Sequence, residues 1–200
     1  MRKDSSIVDS AAGIQMLREL CAGFEASVVG RHTDGSPDSI ADVVGIDELP
    51  DSYRRLLAHD RHMTATLRER FGGELTLHVL AHRTDGLVYR RCIELALART
   101  GAVVEIGVIR LDTAALDHAT RAAVLEGRRP LGDILVGSGV LTRVDVRWYL
   151  RFVRGDGLVR SLAGRSALPV YGRLATIHCN GSPALELLEI VTDDPEVGTG

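Results

Sequence analysis

Two charged residues fall on predicted apolar strand faces, where they would have unusual chemistry. In YRRCIELAL (89–97), Arg91 is predicted to lie on the same strand face as an isoleucine and two leucines, because residues two apart share one face of a strand. Its neighbour Arg90 is predicted to point away from the core. In ALELLEIV (184–191), Glu189 shares a face with leucine and valine in the same way. A buried charge is costly unless it is paired. Two interpretations remain: an Arg91–Glu189 ion pair joining strands, or a cavity where Arg91 binds a carboxylate and Glu189 does proton chemistry.

The segment RRPLGDIL (128–135) has the composition of a helix start that could also bind an anion. Pro130 suits the first turn of a helix, where a missing N–H costs nothing, and Gly132 permits a close backbone approach. The unpaired amides at a helix start attract carboxylates. The segment therefore predicts either an ordinary helix start or half of a carboxylate site.

Six strand-like segments predict the fold. They cover 74–82, 87–98, 102–111, 142–153, 171–179 and 184–191. Short connections after the first, second and fifth predict hairpins. Helices are predicted over 9–28, from a cap at Asp51 through 52–61, through 64–72 up to Gly72, and from Asp112 or Thr113 to Gly127. The chain is therefore predicted to be α+β, with a single, mainly antiparallel six-stranded sheet and helices packed on one face.

The length and charge of the chain limit its organisation and its partners. With 200 residues, a single domain over 1–200 is expected, with a helical segment and loop at 1–48 and a flexible tail at 193–200. A net charge of −3 argues against binding to nucleic acid. No apolar run approaches the roughly 20 residues that cross a membrane. A monomer is the default expectation.

The number and spacing of the cysteines indicate a reducing compartment. Cys21, Cys92 and Cys179 are odd in number, far apart and form no CxxC motif. Buried, reduced thiols in a cytoplasmic protein are therefore expected.

Four segments, taken in order, resemble the chorismate lyase (chorismate–pyruvate lyase) family, including the actinobacterial branch that supplies 4-hydroxybenzoate. They are LLAHDRHMTATLRERF, YRRCIEL, RRPLGDILVGSGVLTR and YGRLATIHCNGSPALELLEIV, within residues 49–192; residues 1–48 match only loosely. The resemblance implies a chorismate lyase-like fold and a carbon–oxygen lyase. Such an enzyme eliminates pyruvate from chorismate to give 4-hydroxybenzoate and needs neither a metal nor an organic cofactor.

The resemblance also implies roles for particular residues. The backbone amides of Met63 and Leu131, together with the Arg91 side chain, are expected to bind the ring carboxylate. Glu189 is expected to meet the oxygen at the opposite end of the ring, where it relays a proton or stabilises the developing hydroxyl. Arg91 and Glu189 are therefore the expected catalytic residues.

The resemblance leaves other positions less defined. Arg173 or Arg129 is expected to meet the enolpyruvyl carboxylate of the substrate. Leu188 stands where the family usually has a threonine before its glutamate. The spacing in this segment leaves Glu186 as an alternative to Glu189, although its alternation places Glu186 on the opposite face.

Two other functions compete with the lyase interpretation. The same fold occurs in effector domains of transcription regulators, so a non-catalytic domain that binds an aromatic acid is one alternative. The first 48 residues lack a basic winged-helix module, which counts against a regulator. A lyase that yields another isomer, such as 3-hydroxybenzoate, is the other alternative.

Two histidine pairs are candidate metal ligands. His59 and His62 are spaced for one helix face, and His78 and His82 for one strand face. Neither pair has a third ligand at a familiar spacing. No metal site is therefore expected.

Overall fold

The computed structural model of the chain describes residues 10–24, 41–153, 157–163 and 168–194. Its strands are β1 (Asp42–Val44), β2 (Leu75–Asp85), β3 (Val88–Leu97), β4 (Val103–Asp112), β5 (Thr142–Phe152), β6 (Val170–Cys179) and β7 (Ser182–Val191). Its α-helices are α1 (Ser10–Cys21), α2 (Asp51–Leu57), α3 (Met63–Phe71), α4 (His118–Glu126), α5 (Leu131–Gly137) and α6 (Arg160–Ala163). Parts of the predicted N-terminal helix, loop and C-terminal tail (25–28, 30–39 and 195–200) lie outside the described residues.

All strands join one antiparallel sheet in the order β1-β5-β6-β7-β4-β3-β2. The predicted hairpins are the pairs β2–β3, β3–β4 and β6–β7, and the predicted α+β class with a mainly antiparallel sheet is confirmed. The sheet has seven strands rather than six. The additional strand, β1, has only three residues, too few for alternation to reveal it.

Helices α2, α3, α4 and α5 pack on the face of the sheet that carries Arg91 and Glu189, which we call the site face. This confirms the predicted helical layer. The opposite face holds a further apolar cluster, in which α1 and α6 cover Cys92 of β3 and neighbouring strands. Arg90 therefore points not to open solvent but towards α1, where its Nη1 donates to the carbonyl of Glu19.

A bulge between Val79 and Ala81 reverses the alternation in β2. Ala81 consequently lies on the opposite face from Val79, although two residues this far apart in a regular strand share a face. His78 and His82, predicted to lie on one face, lie on opposite faces. An inserted residue shifts every later side chain of a strand to the other side, and alternation read from sequence alone does not reveal where this happens.

Several helix boundaries differ from those predicted. Helix α4 begins at His118 rather than near Asp112, because the Asp117 carboxylate caps the helix by accepting from the amides of Ala119 and Thr120. Asp112 instead accepts from the amide of Ala114 at the start of a short 3₁₀ turn.

Helix α2 ends at Leu57, earlier than predicted, and Pro50 rather than Asp51 occupies its N-cap. As a result His59 lies in the connection after α2, and His62 is the N-cap of α3. Helix α3 ends as predicted, with Gly72 at φ 65°, a left-handed conformation that suits glycine. None of the helices described by the structure is both long and apolar enough to cross a membrane.

Candidate functional site

A cavity of about 50 Å³ lies between the site face and the first residues of α3 and α5. Four residues that the family resemblance singles out line it together: Met63, Arg91, Leu131 and Glu189. Leucine and isoleucine side chains form most of the remaining wall. Apolar walls with a few convergent polar groups are typical of small-molecule sites.

Arg91 lies in this cavity, and no carboxylate of the described residues pairs with it. Its side chain is 2% exposed, and the phenol of Tyr89 is the group that hydrogen-bonds to it. Its Nε and Nη1 atoms are buried and have no hydrogen-bond partner among the described residues. Burial lowers the pKa of Arg91, and the contact with Tyr89 opposes that shift. The cavity therefore holds guanidinium donors whose partner the described part of the protein does not supply.

Glu189 forms its ion pair with Arg173 instead, so the interpretation of a strand-joining Arg91–Glu189 pair is wrong. Glu189 and Arg173 are cross-strand neighbours on β7 and β6, and Arg173 Nε lies 2.6 Å from Glu189 Oε2. Alternation predicted the face of Glu189 correctly. It could not identify the partner, because alternation within one strand does not tell which residue of the neighbouring strand lies beside it.

Arg173 is also tied to the connection between α2 and α3. Its Nη1 donates to the carbonyls of Leu57 and His59 at 3.1 and 2.7 Å, and its Nη2 donates to that of Arg61 at 3.1 Å. The side chain is 1% exposed. The structure thus gives Arg173 a positioning role: it orients Glu189 and holds the backbone that leads to Met63.

Two further candidates, Arg129 for the second carboxylate contact and Glu186 as the alternative to Glu189, lie outside the cavity. Arg129 is exposed, and its Nη2 donates to the carbonyl of Asp133 at 3.3 Å; it is not among the cavity-lining residues. Glu186, the alternative to Glu189, lies on the opposite face and pairs with Arg110 at 2.6 Å. The structure therefore places Glu189, and not Glu186, in the cavity.

Glu105 of β4 is a lining residue that the sequence analysis missed. It is 4% exposed, and its Oε2 has no hydrogen-bond partner among the described residues. Burial, reinforced by the charge of Glu189, raises the pKa of Glu105 well above its usual value, while Arg173 opposes the shift. The signal was present, because the alternation in VVEIGVIRL puts Glu105 in register with Gly107 and Ile109.

Gly107 forms the floor of the cavity between β3 and β7. It pairs with Ile93 on one side and Glu189 on the other. A Cβ atom at this position would lie 3.1 Å from the Ile93 side chain and 3.3 Å from Glu105 Oε1. The missing side chain therefore lets the Ile93 side chain and the Glu105 carboxyl group close over the middle of the sheet.

Gly132 allows the starts of α3 and α5 to meet at the rim of the cavity. A Cβ atom there would lie 3.0 Å from His62 Cβ and 3.3 Å from Thr64 Oγ1. Beside this contact, Arg68 of α3 donates two hydrogen bonds to Asp133 of α5, at 2.7 and 2.9 Å. Pro130 is the N-cap of α5, rather than its first helical residue as predicted.

The histidines near the cavity have protein partners. His62 Nε2 lies 3.0 Å from Thr142 Oγ1, and His59 Nε2 lies 2.7 Å from the carbonyl of Leu56. Burial lowers the pKa of both imidazoles. No group of three or more His, Cys, Asp or Glu side chains within the described ranges is arranged to hold a metal ion.

Taken together, the site is electrically asymmetric. The Arg91 guanidinium, which has no carboxylate partner among the described residues, lies at one end. Farther along the sheet lie Glu189, whose charge is neutralised by Arg173, and Glu105, whose pKa is raised. This arrangement suits a ligand with a carboxylate at one end of an apolar body and a hydrogen-bonding group at the other.

No family model matches the chain, and no curated protein matches it. Among solved structures, the chain is similar to the ligand-binding domain of a putative GntR-family transcriptional regulator from Bordetella bronchiseptica (14% identity, 60% of this chain and 87% of that chain, TM-score 0.46). It is also similar to PhnF from Mycobacterium smegmatis (12% identity, 69% and 66% covered, TM-score 0.46). A possible transcriptional regulator, YydK from Bacillus subtilis, shares 10% identity over 64% of this chain and 62% of that chain, with a TM-score of 0.43. The chain thus spans slightly less than two thirds of the latter two structures.

Proposed function

We propose that the cavity binds chorismate by its ring carboxylate and eliminates pyruvate to give 4-hydroxybenzoate. The observation that carries this proposal is the buried, carboxylate-free guanidinium of Arg91 in an apolar cavity that Glu189 also lines. An arginine fork binds a carboxylate through two parallel hydrogen bonds. The ring of a bound acid would then extend from Arg91 towards Glu189.

The reaction needs little from the protein besides positioning. The C3–O bond of chorismate breaks, the hydrogen at C4 leaves as a proton, and the ring becomes aromatic. The enolpyruvyl group departs and takes up a proton to become pyruvate, so that the atoms of chorismate are divided between the two products. Because aromatisation drives the step, holding the ring in a reactive orientation provides most of the acceleration.

The residues of this chain would divide the work. Arg91 would bind the ring carboxylate, with the Met63 and Leu131 amides completing the anion site. Glu189 would face C4 and its hydroxyl, where a carboxylate can accept the leaving proton or stabilise the developing phenol. Arg173 would keep the Glu189 carboxylate in place through the 2.6 Å contact.

A second candidate function is the non-catalytic binding of a planar aromatic acid, and the size of the cavity favours it. A volume of about 50 Å³ holds only a few water molecules, since each needs at least about 10–15 Å³. A flat hydroxybenzoate requires less widening of this space than chorismate with its enolpyruvyl arm. Such a domain would need Arg91 but not the chemistry of Glu189.

Incubation of the purified protein with chorismate tests the proposal directly. Pyruvate and 4-hydroxybenzoate should appear in equal amounts, the first followed by a coupled assay and the second by chromatography. The absence of product at high protein concentration contradicts the lyase. Binding of 4-hydroxybenzoate without turnover supports the second candidate, and a 3-hydroxybenzoate peak identifies a lyase for another isomer.

Three alanine variants identify the residues. Arg91→Ala and Glu189→Ala should each abolish turnover while the circular dichroism spectrum remains that of the folded protein. Glu186→Ala is the matched control, because this glutamate lies on the same strand but on the opposite face. Full activity in Glu189→Ala, with a loss in Glu186→Ala, would show that Glu186 and not Glu189 takes part in the reaction.

A further inference from the structure

Glu105 and Arg91 lie at opposite ends of the cavity floor. Arg91 is paired with Ile109 on β4, and Glu105 is four residues before Ile109 on the same strand. Four residues of a strand span about 13 Å. Between the two charged residues lies Gly107, which has no side chain. The floor therefore has a guanidinium at one end, and the Glu105 carboxyl group reaches back from the other end over Gly107, where its Oε1 would lie 3.3 Å from a Cβ atom.

Glu105 is close enough to Glu189 to share a ligand with it. Glu105 is paired with Val191 on β7, two residues from Glu189. Diagonal neighbours of this kind on adjacent strands have side chains about 7–8 Å apart at their base, within reach of long side chains. Arg173 already neutralises Glu189, so a second ionised carboxylate beside it would have no cation of its own.

Glu105 therefore supplies a neutral acid with unused hydrogen-bonding capacity. A protonated carboxyl group both donates and accepts hydrogen bonds. Its Oε2 is buried without a partner among the described residues, a rare condition in native proteins that calls for a specific explanation. A hydroxyl group of a bound ligand, which also donates and accepts, would satisfy it.

We propose that Glu105 selects ligands that carry a hydroxyl group on the ring position opposite the carboxylate. This inference rests on the proposed function, since chorismate and 4-hydroxybenzoate both have that hydroxyl at the position para to their ring carboxylate. Arg91 binds the carboxylate, and Glu105 with Glu189 receives the hydroxyl at the far end of the ring. Glu105 is thus a specificity-determining residue, distinct from the residues that the family resemblance points to.

The test compares the binding of three probes by isothermal titration calorimetry: 4-hydroxybenzoate, 3-hydroxybenzoate and benzoate. The wild-type protein should bind 4-hydroxybenzoate about 10- to 100-fold more tightly than benzoate, because a buried acid is left unpaired by the analogue that lacks the hydroxyl. 3-Hydroxybenzoate should resemble benzoate, since its hydroxyl points away from the axis that joins Arg91 and Glu105.

Variants of Glu105 separate a selective role from a structural one. Glu105→Leu should reduce the ratio between 4-hydroxybenzoate and benzoate to about 1–3, with the affinity for benzoate itself retained. Glu105→Gln, an uncharged side chain of the same length that still donates and accepts, should preserve most of the ratio. Glu105→Met repeats the apolar test with an unbranched side chain if Glu105→Leu does not fold. Glu186→Gln, on the opposite face, is the matched control and should leave the ratio unchanged.

The possible failures are distinguishable. If Glu105→Leu or Glu105→Met folds and keeps the wild-type ratio, or weakens all three probes equally, Glu105 is not selective and only this inference is overturned. If the wild-type protein binds none of the three acids, the proposed function fails and this inference fails with it.

Discussion

Two buried arginines on the same face of one sheet are in opposite situations. Arg173 is 1% exposed and donates to Glu189 and to three backbone carbonyls. Arg91 is 2% exposed and keeps two nitrogens without any partner among the described residues. Burial is thus equal, but hydrogen-bond satisfaction is not. A satisfied buried charge holds the structure together, whereas an unsatisfied one indicates where a ligand completes the site.

The neighbourhood of each arginine explains this difference. Arg173 faces the connection between α2 and α3, whose backbone carbonyls point back at the sheet. Arg91 faces the starts of α3 and α5, where Gly132 keeps the helices close and a helix presents amides rather than carbonyls. A cation surrounded by carbonyls is stabilised, and a cation surrounded by amides needs an anion between them.

The largest effect is expected from Arg173→Met. Removing one member of a buried ion pair leaves the other charge uncompensated, so the free energy of unfolding should fall by about 3–5 kcal/mol. Urea denaturation measures this change. Arg151→Met is the control, because Arg151 pairs with Asp42 on the surface, where solvent screens the pair, and its effect should be much smaller. Equal losses of unfolding free energy in the two variants would show that the buried Arg173 pair stabilises the protein no more than the surface pair does.

A smaller effect of opposite sign is expected from Arg91→Met. Because no ligand compensates this guanidinium in the free protein, replacing it with an apolar side chain should raise the free energy of unfolding by about 1–2 kcal/mol. Binding of 4-hydroxybenzoate should disappear in the same variant. Destabilisation on the scale of Arg173→Met would show instead that Arg91 is satisfied in the folded protein.

The pH dependence of stability provides the finest test. The pKa of Glu105 is raised well above its usual 4.5 in the folded protein by burial. Above that pH the unfolded chain ionises while the folded protein keeps its proton, so the free energy of unfolding falls as the pH rises. The stability of Glu105→Gln relative to the wild type should therefore increase as the pH rises above 4.5. A constant difference would mean that Glu105 is ionised in the folded state.

Much of the fold and part of the site were predictable from local patterns. Alternation identified six of the seven strands and the inward faces of Arg91 and Glu189, since a side-chain repeat of two is a property of any strand. The bulge in β2 defeated this reasoning at His82, and the side-chain cap of Asp117 displaced the start of α4. Both depend on which of several local options the surrounding structure stabilises.

The sequence by itself therefore determined which residues face the helical layer, because that follows from backbone geometry and the tendency of apolar side chains to be buried. Only the tertiary structure decided which charges meet. Pairing depends on the order of strands across the sheet, where Arg173 lies beside Glu189 while Arg91 lies two strands away on β3. That order arises from contacts between distant segments, and it separates the satisfied arginine from the one left open to a ligand.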